Sequence, residues 1–246
     1  MNVRLKKMWK TSNRGLILGL ILIVILVIYV SVDKITFNKE KPIIEETLNT
    51  YVKELVEVIQ TDEEFITSGS KWTSDSLNEL KEEYQTVLNK YWTSTFYVDS
   101  NYSWGQQSLA ASKLVLNDLF ESQPPMDSEY ISNVTYRITD LKITKNGPSG
   151  AKVTFDLQYT FEYQGNITFF GFDGNINRPN DYYWTDTPSE SPEKHGFNGS
   201  YRLSYDLLRE KGEWKISSTL GLGNSVSVEE VITSSSSKSE NRGEVF

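Results

Sequence analysis

Residues 151–163 read AKVTFDLQYTFEY, and the alternation has no break. Ala151, Val153, Phe155, Leu157, Tyr159, Phe161 and Tyr163 fall on one side of an extended chain. Lys152, Thr154, Asp156, Gln158, Thr160 and Glu162 fall on the other. Successive side chains of a strand point to opposite faces, so this is a long antiparallel strand with one dry and one wet face. Upstream, Val134, Tyr136 and Ile138 alternate too, and the phase shifts at Thr139-Asp140 to Leu141 and Ile143, which predicts a bulge. Asn146-Gly147-Pro148-Ser149-Gly150 closes a hairpin between the two strands. Downstream, 167–172 is a short apolar run. Tyr201, Leu203, Tyr205 and Leu207 then alternate, 209–212 turns the chain, and Glu213-Trp214-Lys215-Ile216 opens a last strand.

Before residue 130 the period is helical. Ile44, Leu48, Val52, Leu55 and Ile59 predict a helix over 42–60, with Pro42 at its first position and Glu45 and Glu46 in its first turn. Thr61 and Glu64 match a capping box for a short turn of helix ending near Gly69. Ser74 or Ser76 caps a further helix that buries Leu77, Leu80, Tyr84, Val87 or Leu88, and Tyr91. A third helix is expected over 106–121, stopped by Gln123-Pro124-Pro125. Helices followed by a run of strands make an α+β class.

Outside this block lies a different kind of sequence. Residues 15–32, GLILGLILIVILVIYVSV, carry no charge. As a helix they are about 27 Å long, close to the hydrocarbon thickness of a bilayer. Arg4, Lys6, Lys7, Lys10 and Arg14 precede the run with no acid among them, whereas Asp33, Lys34, Lys39, Glu40 and Lys41 follow it. The positive-inside rule puts residues 1–14 in the cytoplasm as a basic head and everything from Asp33 onward outside. A cleaved signal peptide has a shorter apolar core and a small-x-small site, which Ser31-Val32-Asp33 does not supply. The expectation is an uncleaved anchor held by lipid through 15–32, a polar stalk over 33–41, an external domain over 42–222, and a disordered Ser-rich tail over 223–246.

The formal net charge of the 246 residues is −8, and the five bases of the head leave the remainder more acidic still. Such a domain repels nucleic acid and anionic lipid, so its partners are expected to be proteins or cations. There is no cysteine, which argues against a disulfide-stapled ectodomain and fits a bacterial surface. Asn101, Asn133, Asn166 and Asn198 sit in Asn-x-Ser/Thr triplets, a match that chance supplies in a chain this rich in Asn, Ser and Thr.

The closing pattern is more specific. Tyr201-x-Leu203-x-Tyr205-x-Leu207, a charged turn ending in Gly212, and Glu213-Trp214-Lys215-Ile216 resemble the last hairpin of NTF2-like domains. The resemblance spans 42–222 and implies a cone in which three helices pack on a strongly curved antiparallel sheet. Long acidic residues 171–196 are an insertion relative to a minimal member. A basic head, one span and an external NTF2-like domain resemble Gram-positive conjugation-channel subunits and envelope-stress proteins. The latter carry a zinc ribbon that a Cys-free chain lacks.

Sites for chemistry are weakly marked. NTF2-like enzymes need a carboxylate or histidine facing an apolar cavity. The one histidine, His195, falls in the insertion and reads as a surface residue, while Asp156 and Glu162 fall on the wet face. Ser68-Gly69-Ser70-Lys71 and Lys145-Asn146-Gly147 echo penicillin-binding elements without the third element or the domain size. No G-x-S-x-G elbow occurs. Asp173-Gly174-Asn175-Ile176-Asn177 begins like a calcium loop, but Arg178 and Trp184 occupy the positions that need Gly and Glu. Asp173, Asp181 and Asp186 are then weak cation candidates at most, and neither metal nor cofactor is expected. Tyr182, Tyr183 and Trp184 are adjacent, so a two-sided strand cannot bury all three. They either plug the cone or anchor a partner. The leading expectation is a membrane-anchored binding or scaffold protein of an envelope assembly, ahead of a small-ligand sensor and an isomerase- or dehydratase-like enzyme.

Overall fold

The computed structural model describes residues 14–69, 71–94, 106–108, 125, 129–165, 167–174, 176–177 and 194–230. The chain divides into two units, Met1–Glu46 and Thr47–Phe246, and its class is α+β. Helix α1, Arg14–Ile59, runs through the division without interruption. Along its uncharged run the large apolar side chains from Leu16 to Val32 are exposed, apart from the half-buried Ile17. Among the described residues it is the one helix long and apolar enough to cross a membrane.

The helix start at Pro42 is corrected by this continuity: 33–41, read as a polar stalk, is helical, and Pro42 lies inside α1. Polarity alone does not end a helix. Residues 33–41 contain neither glycine nor proline. The hydroxyl groups that could compete are turned onto the helix itself, Ser31 Oγ donating to the Val27 carbonyl at 2.7 Å and Thr36 Oγ1 to that of Val32 at 2.9 Å.

In the second unit, α1 buries Leu48, Tyr51, Val52, Leu55 and Ile59 at helical spacing. Helix α2, Glu63–Ser68, is capped by Asp62, whose side chain accepts from the Glu64 amide, and ends at Gly69 in the left-handed region. The expected cap, Thr61, does something else. Its hydroxyl accepts from the Ile131 amide and its own amide donates to the Ile131 carbonyl, pinning the end of α1 to the sheet. Helix α3, Ser74–Tyr91, starts from a Thr73–Ser76 capping box and buries Tyr84, Val87, Leu88 and Tyr91. Past its end, the Thr93 amide donates to the Ile216 carbonyl, and Trp92 is fully buried.

The strands are β1 (Gln106–Ser108), β2 (Tyr130–Asn146), β3 (Gly150–Gln164), β4 (Phe169–Phe170), β5 (Ile176–Asn177), β6 (Lys194–Glu210) and β7 (Glu213–Glu230). Among the described residues the main sheet has the order β1-β7-β6-β3-β2, every pair antiparallel, and β4 pairs with β5 in a small ribbon. The β2 register shifts between Thr139 and Lys142, with Asp140 at φ 52°, and again between Ser132 and Thr135, with Asn133 at φ 54°. Such bulges kink an edge strand and make it a poor template for pairing with another chain.

Three further expectations change. Gln106–Ser108 opens no helix but pairs as β1 with β7, Ser108 opposite Ser218 and Gln106 opposite Leu220. The outer edge of β7 offers ladder groups there. The Ser-rich tail does not begin at 223, because β7 stays paired to Glu230, opposite His195. Ser225-Val226-Ser227-Val228 alternates as a strand does, a signal masked by the serine content. The insertion does not extend to 196 either, since Lys194–Glu210 is β6 and His195 pairs with Tyr163. The head before Arg14, the remainder of the expected third helix, residues 178–193 and the tail beyond 230 lie outside the described residues.

One face of β3 and β6 is a field of rings. Phe161 stacks on Phe197 at 4.4 Å, and Tyr159 stacks on Phe197 and Tyr201 at 5.5 and 5.3 Å. Gly199 lies opposite Tyr159, beneath these rings. A Cβ there would meet ring carbons of Phe197, Tyr201 and Tyr159 at 2.9, 2.9 and 3.1 Å. Gly199→Ala should therefore cost about 1–3 kcal/mol, as overpacking does. Thermal denaturation of the full chain in detergent checks it: an unchanged melting temperature would show that the rings can part.

Candidate functional site

The sheet interior is the first place to look for a pocket. Tyr205 stands edge-on to Phe155 at 5.1 Å and to Tyr51 at 6.1 Å, and Tyr51 contacts Tyr91 at 5.6 Å. The Tyr205 hydroxyl donates to the Phe172 carbonyl at 2.5 Å. Burial pushes the Tyr51, Tyr84 and Tyr205 phenols well above their ordinary value, and the Asp173 charge adds to the effect on Tyr51 and Tyr205. The Tyr51 hydroxyl and the Trp92 indole N–H are sealed in without a well-formed hydrogen bond. They lie close enough for Trp92 to oppose the burial effect on Tyr51. Groups that hold their protons so firmly are poor general bases at neutral pH.

Of the sequence candidates, Tyr201, Leu203, Tyr205, Trp214 and Ile216 are all buried. Ile216 lies opposite Leu207, and Trp214 opposite Arg209. Asp173 is half-buried in the β4–β5 turn, where its carboxylate accepts from Asn177 Nδ2 and its carbonyl accepts from the Thr219 hydroxyl. Those contacts give it a turn-closing role. Asp181, Asp186, Tyr182, Tyr183 and Trp184 lie outside the described residues. His195, expected on a loop, is half-buried in β6 with its ring 5.5 Å from that of Tyr163. Among the described residues no three Asp, Glu or His side chains converge to hold a metal ion.

Among the described residues a concavity lies on the helix side. A cleft of about 560 Å³ opens between the end of α1, α2, Trp72, one face of α3, Ile131 and residues 167–169. Its base contains the buried side chains of Ile59, Tyr84, Ile131 and Phe169. Its wall holds a ring pair, Phe65 against Trp72 at 4.4 Å and 39°. The Trp72 ring is fixed because its Nε1–H donates to the Glu129 carbonyl at 2.8 Å. Among the described residues the charged lining is one-signed: Glu57, Asp62, Glu63, Glu79 and Glu83 are there, and no Lys, Arg or His is. Glu57 has an exposed partner in Lys53 at 3.7 Å, and Asp62 caps α2. Partial burial raises the Glu83 carboxyl above its ordinary value, and Glu79, one turn earlier on α3, raises it further.

Sequence reading missed this cleft because its parts are far apart in the chain. The signals in hand were an aromatic outside any apolar period, Trp72, and two like charges four apart, Glu79 and Glu83. Compared with known proteins, the sequence matches no family model and no curated protein.

The Glu79–Glu83 pair has a measurable consequence. A carboxyl whose folded pKa lies above its unfolded value loses its proton more readily when unfolded. Its charge therefore penalises the fold above that pKa, and the penalty fades as pH falls. Glu83→Gln should raise the melting temperature at neutral pH and have less effect near about pH 4. Glu79→Gln should lower the Glu83 titration midpoint, read by carbon NMR of the glutamate carboxyls. A midpoint that stays where it was would mean that Glu79 is not its neighbour in solution.

Proposed function

We propose that this chain is a membrane-anchored, extracytoplasmic binding or scaffold protein of a bacterial envelope assembly. In this reading 15–32 is an uncleaved anchor with the basic head in the cytoplasm, and the domain outside is an NTF2-like cone. The assembly is a conjugation or secretion channel, in which the domain meets protein partners or further copies of itself.

The observation that carries the binding role is the ring packing on the inner face of the sheet among the described residues. Ring lies on ring from Tyr51 through Tyr205 and Phe155, and from Tyr159 through Phe161 and Phe197. Rings that pack on one another in this way offer little room for a ligand between them and favour recognition at the outer surface. The exposed apolar run of α1 and the asymmetry of charge around it support the anchor and its orientation. A second reading, a ligand-sensing domain of an envelope-stress pathway, draws support from the acid-lined cleft. A catalytic role has less behind it, since the buried phenols hold their protons and Tyr205 spends its own on Phe172.

The test begins with topology. With the full chain expressed in a Gram-positive host, protease added to intact protoplasts should remove a C-terminal tag and spare an N-terminal one. Full protection of the C-terminal tag would overturn the orientation. Photo-crosslinking from exposed positions such as Lys152 and Gln158 on the wet face of β3 should then give discrete partner bands. A pattern no different from that of an unrelated anchored domain would overturn the scaffold role.

A further inference from the structure

The cleft on the helix side is more specific than an acidic surface. Its volume of about 560 Å³ lies within the range of small-molecule sites. It combines an apolar base, a ring pair held in place by a hydrogen bond to the Glu129 backbone, and carboxylates with no base among the described lining residues. Glu79 and Glu83 repel one another along α3, and a like-charge pair at this spacing costs stability on a helix.

The chemistry that complements the cleft is a cation that also carries carbon. A bare metal ion wants several oxygens converging within one coordination shell. The described carboxylates do not converge in that way. An alkylammonium group wants a diffuse negative field, an aromatic face and an apolar wall for its chain. Glu79 and Glu83 supply the field, Trp72 and Phe65 the faces, and Leu80 and Ile131 apolar surface for the chain.

We propose that this cleft binds a small organic cation of the alkylammonium class, its charge between Glu79 and Glu83 and its carbon chain along Trp72 and Phe65. This deepens the binding role proposed above and rests on it only in treating the domain as a binder. Orientation in the membrane and partners on the sheet do not enter the test, so failure of either proposal leaves the other standing.

The experiment uses the full chain in dodecyl maltoside micelles, which present no ammonium headgroup of their own. Hexylammonium is the probe and hexanoate the control of equal length, followed by calorimetry and tryptophan fluorescence at low salt. Hexylammonium should bind saturably and hexanoate should not. The double change Glu79→Gln with Glu83→Gln should weaken binding by about tenfold or more. Trp72→Phe should keep more affinity than Trp72→Ala, because it retains a ring. Melting temperatures of all variants separate lost binding from lost folding, and the two glutamine changes are expected to leave them level or higher. Affinity should fall as pH drops through the carboxylate range. Absence of saturable binding, or binding indifferent to the glutamine changes, would overturn the proposal. So would a lysine-bearing tetrapeptide that binds well above hexylammonium, since the site would then belong to a polypeptide.

Discussion

Rings of Tyr159, Phe161, Phe197 and Tyr201 lie against one another across β3 and β6, and the domain depends on that contact. Each such ring pair adds about 0.5–1.5 kcal/mol beyond the area it buries. The contact also fixes register. Sliding either strand by one residue would turn every ring to the wet side. Gly199 makes the approach possible, since any side chain there would hold the rings apart. With β3 and β6 locked in this way, Phe172 packs against Tyr159 and Phe169 against Phe161, which brings the β4–β5 ribbon onto the same face.

The helices join through a few polar pins rather than through rings alone. Thr61 exchanges hydrogen bonds with Ile131, and the Thr93 amide donates to the Ile216 carbonyl, so the ends of α1 and α3 are each tied to a strand. Lys90 and Tyr91 both donate to Glu54, at 2.5 and 2.7 Å, joining α3 to α1. Burial opposes ionisation of Glu54, but these donors outweigh it and hold its carboxyl below the ordinary value. Thr61 and the fixed Trp72 stand on either side of α2, where the polypeptide leaves α1 and returns in α3. The cleft follows from that arrangement: a short helix spans the gap and does not fill it.

Among the described residues, the ring-packed sheet face and the open flank are separate surfaces. The sheet spends its aromatic surface on stability, with buried phenols whose protons stay in place. The flank keeps carboxylates, a ring pair and apolar surface within reach of solvent. Binding at the flank therefore need not disturb the packing that maintains the fold.

The sequence determined the strands and the apolar run directly, because both are written in local period. Residues 151–163 alternate without exception, and β3 has one buried face along its length. The shift at Thr139-Asp140 is a bulge with Asp140 at positive φ. Where composition stood in for period, the reading failed. The polar stretch 33–41 is helix because nothing in it stops one, and the serines after Gly223 sit in β7 because their spacing is that of a strand. Gln106–Ser108 became β1 because β7 offered an edge, a fact that no local window contains. The cleft is of the same kind. Phe65, Trp72, Glu79 and Ile131 are unremarkable where they stand in the chain, and only the packing of α1, α2 and α3 onto the sheet brings them around one space.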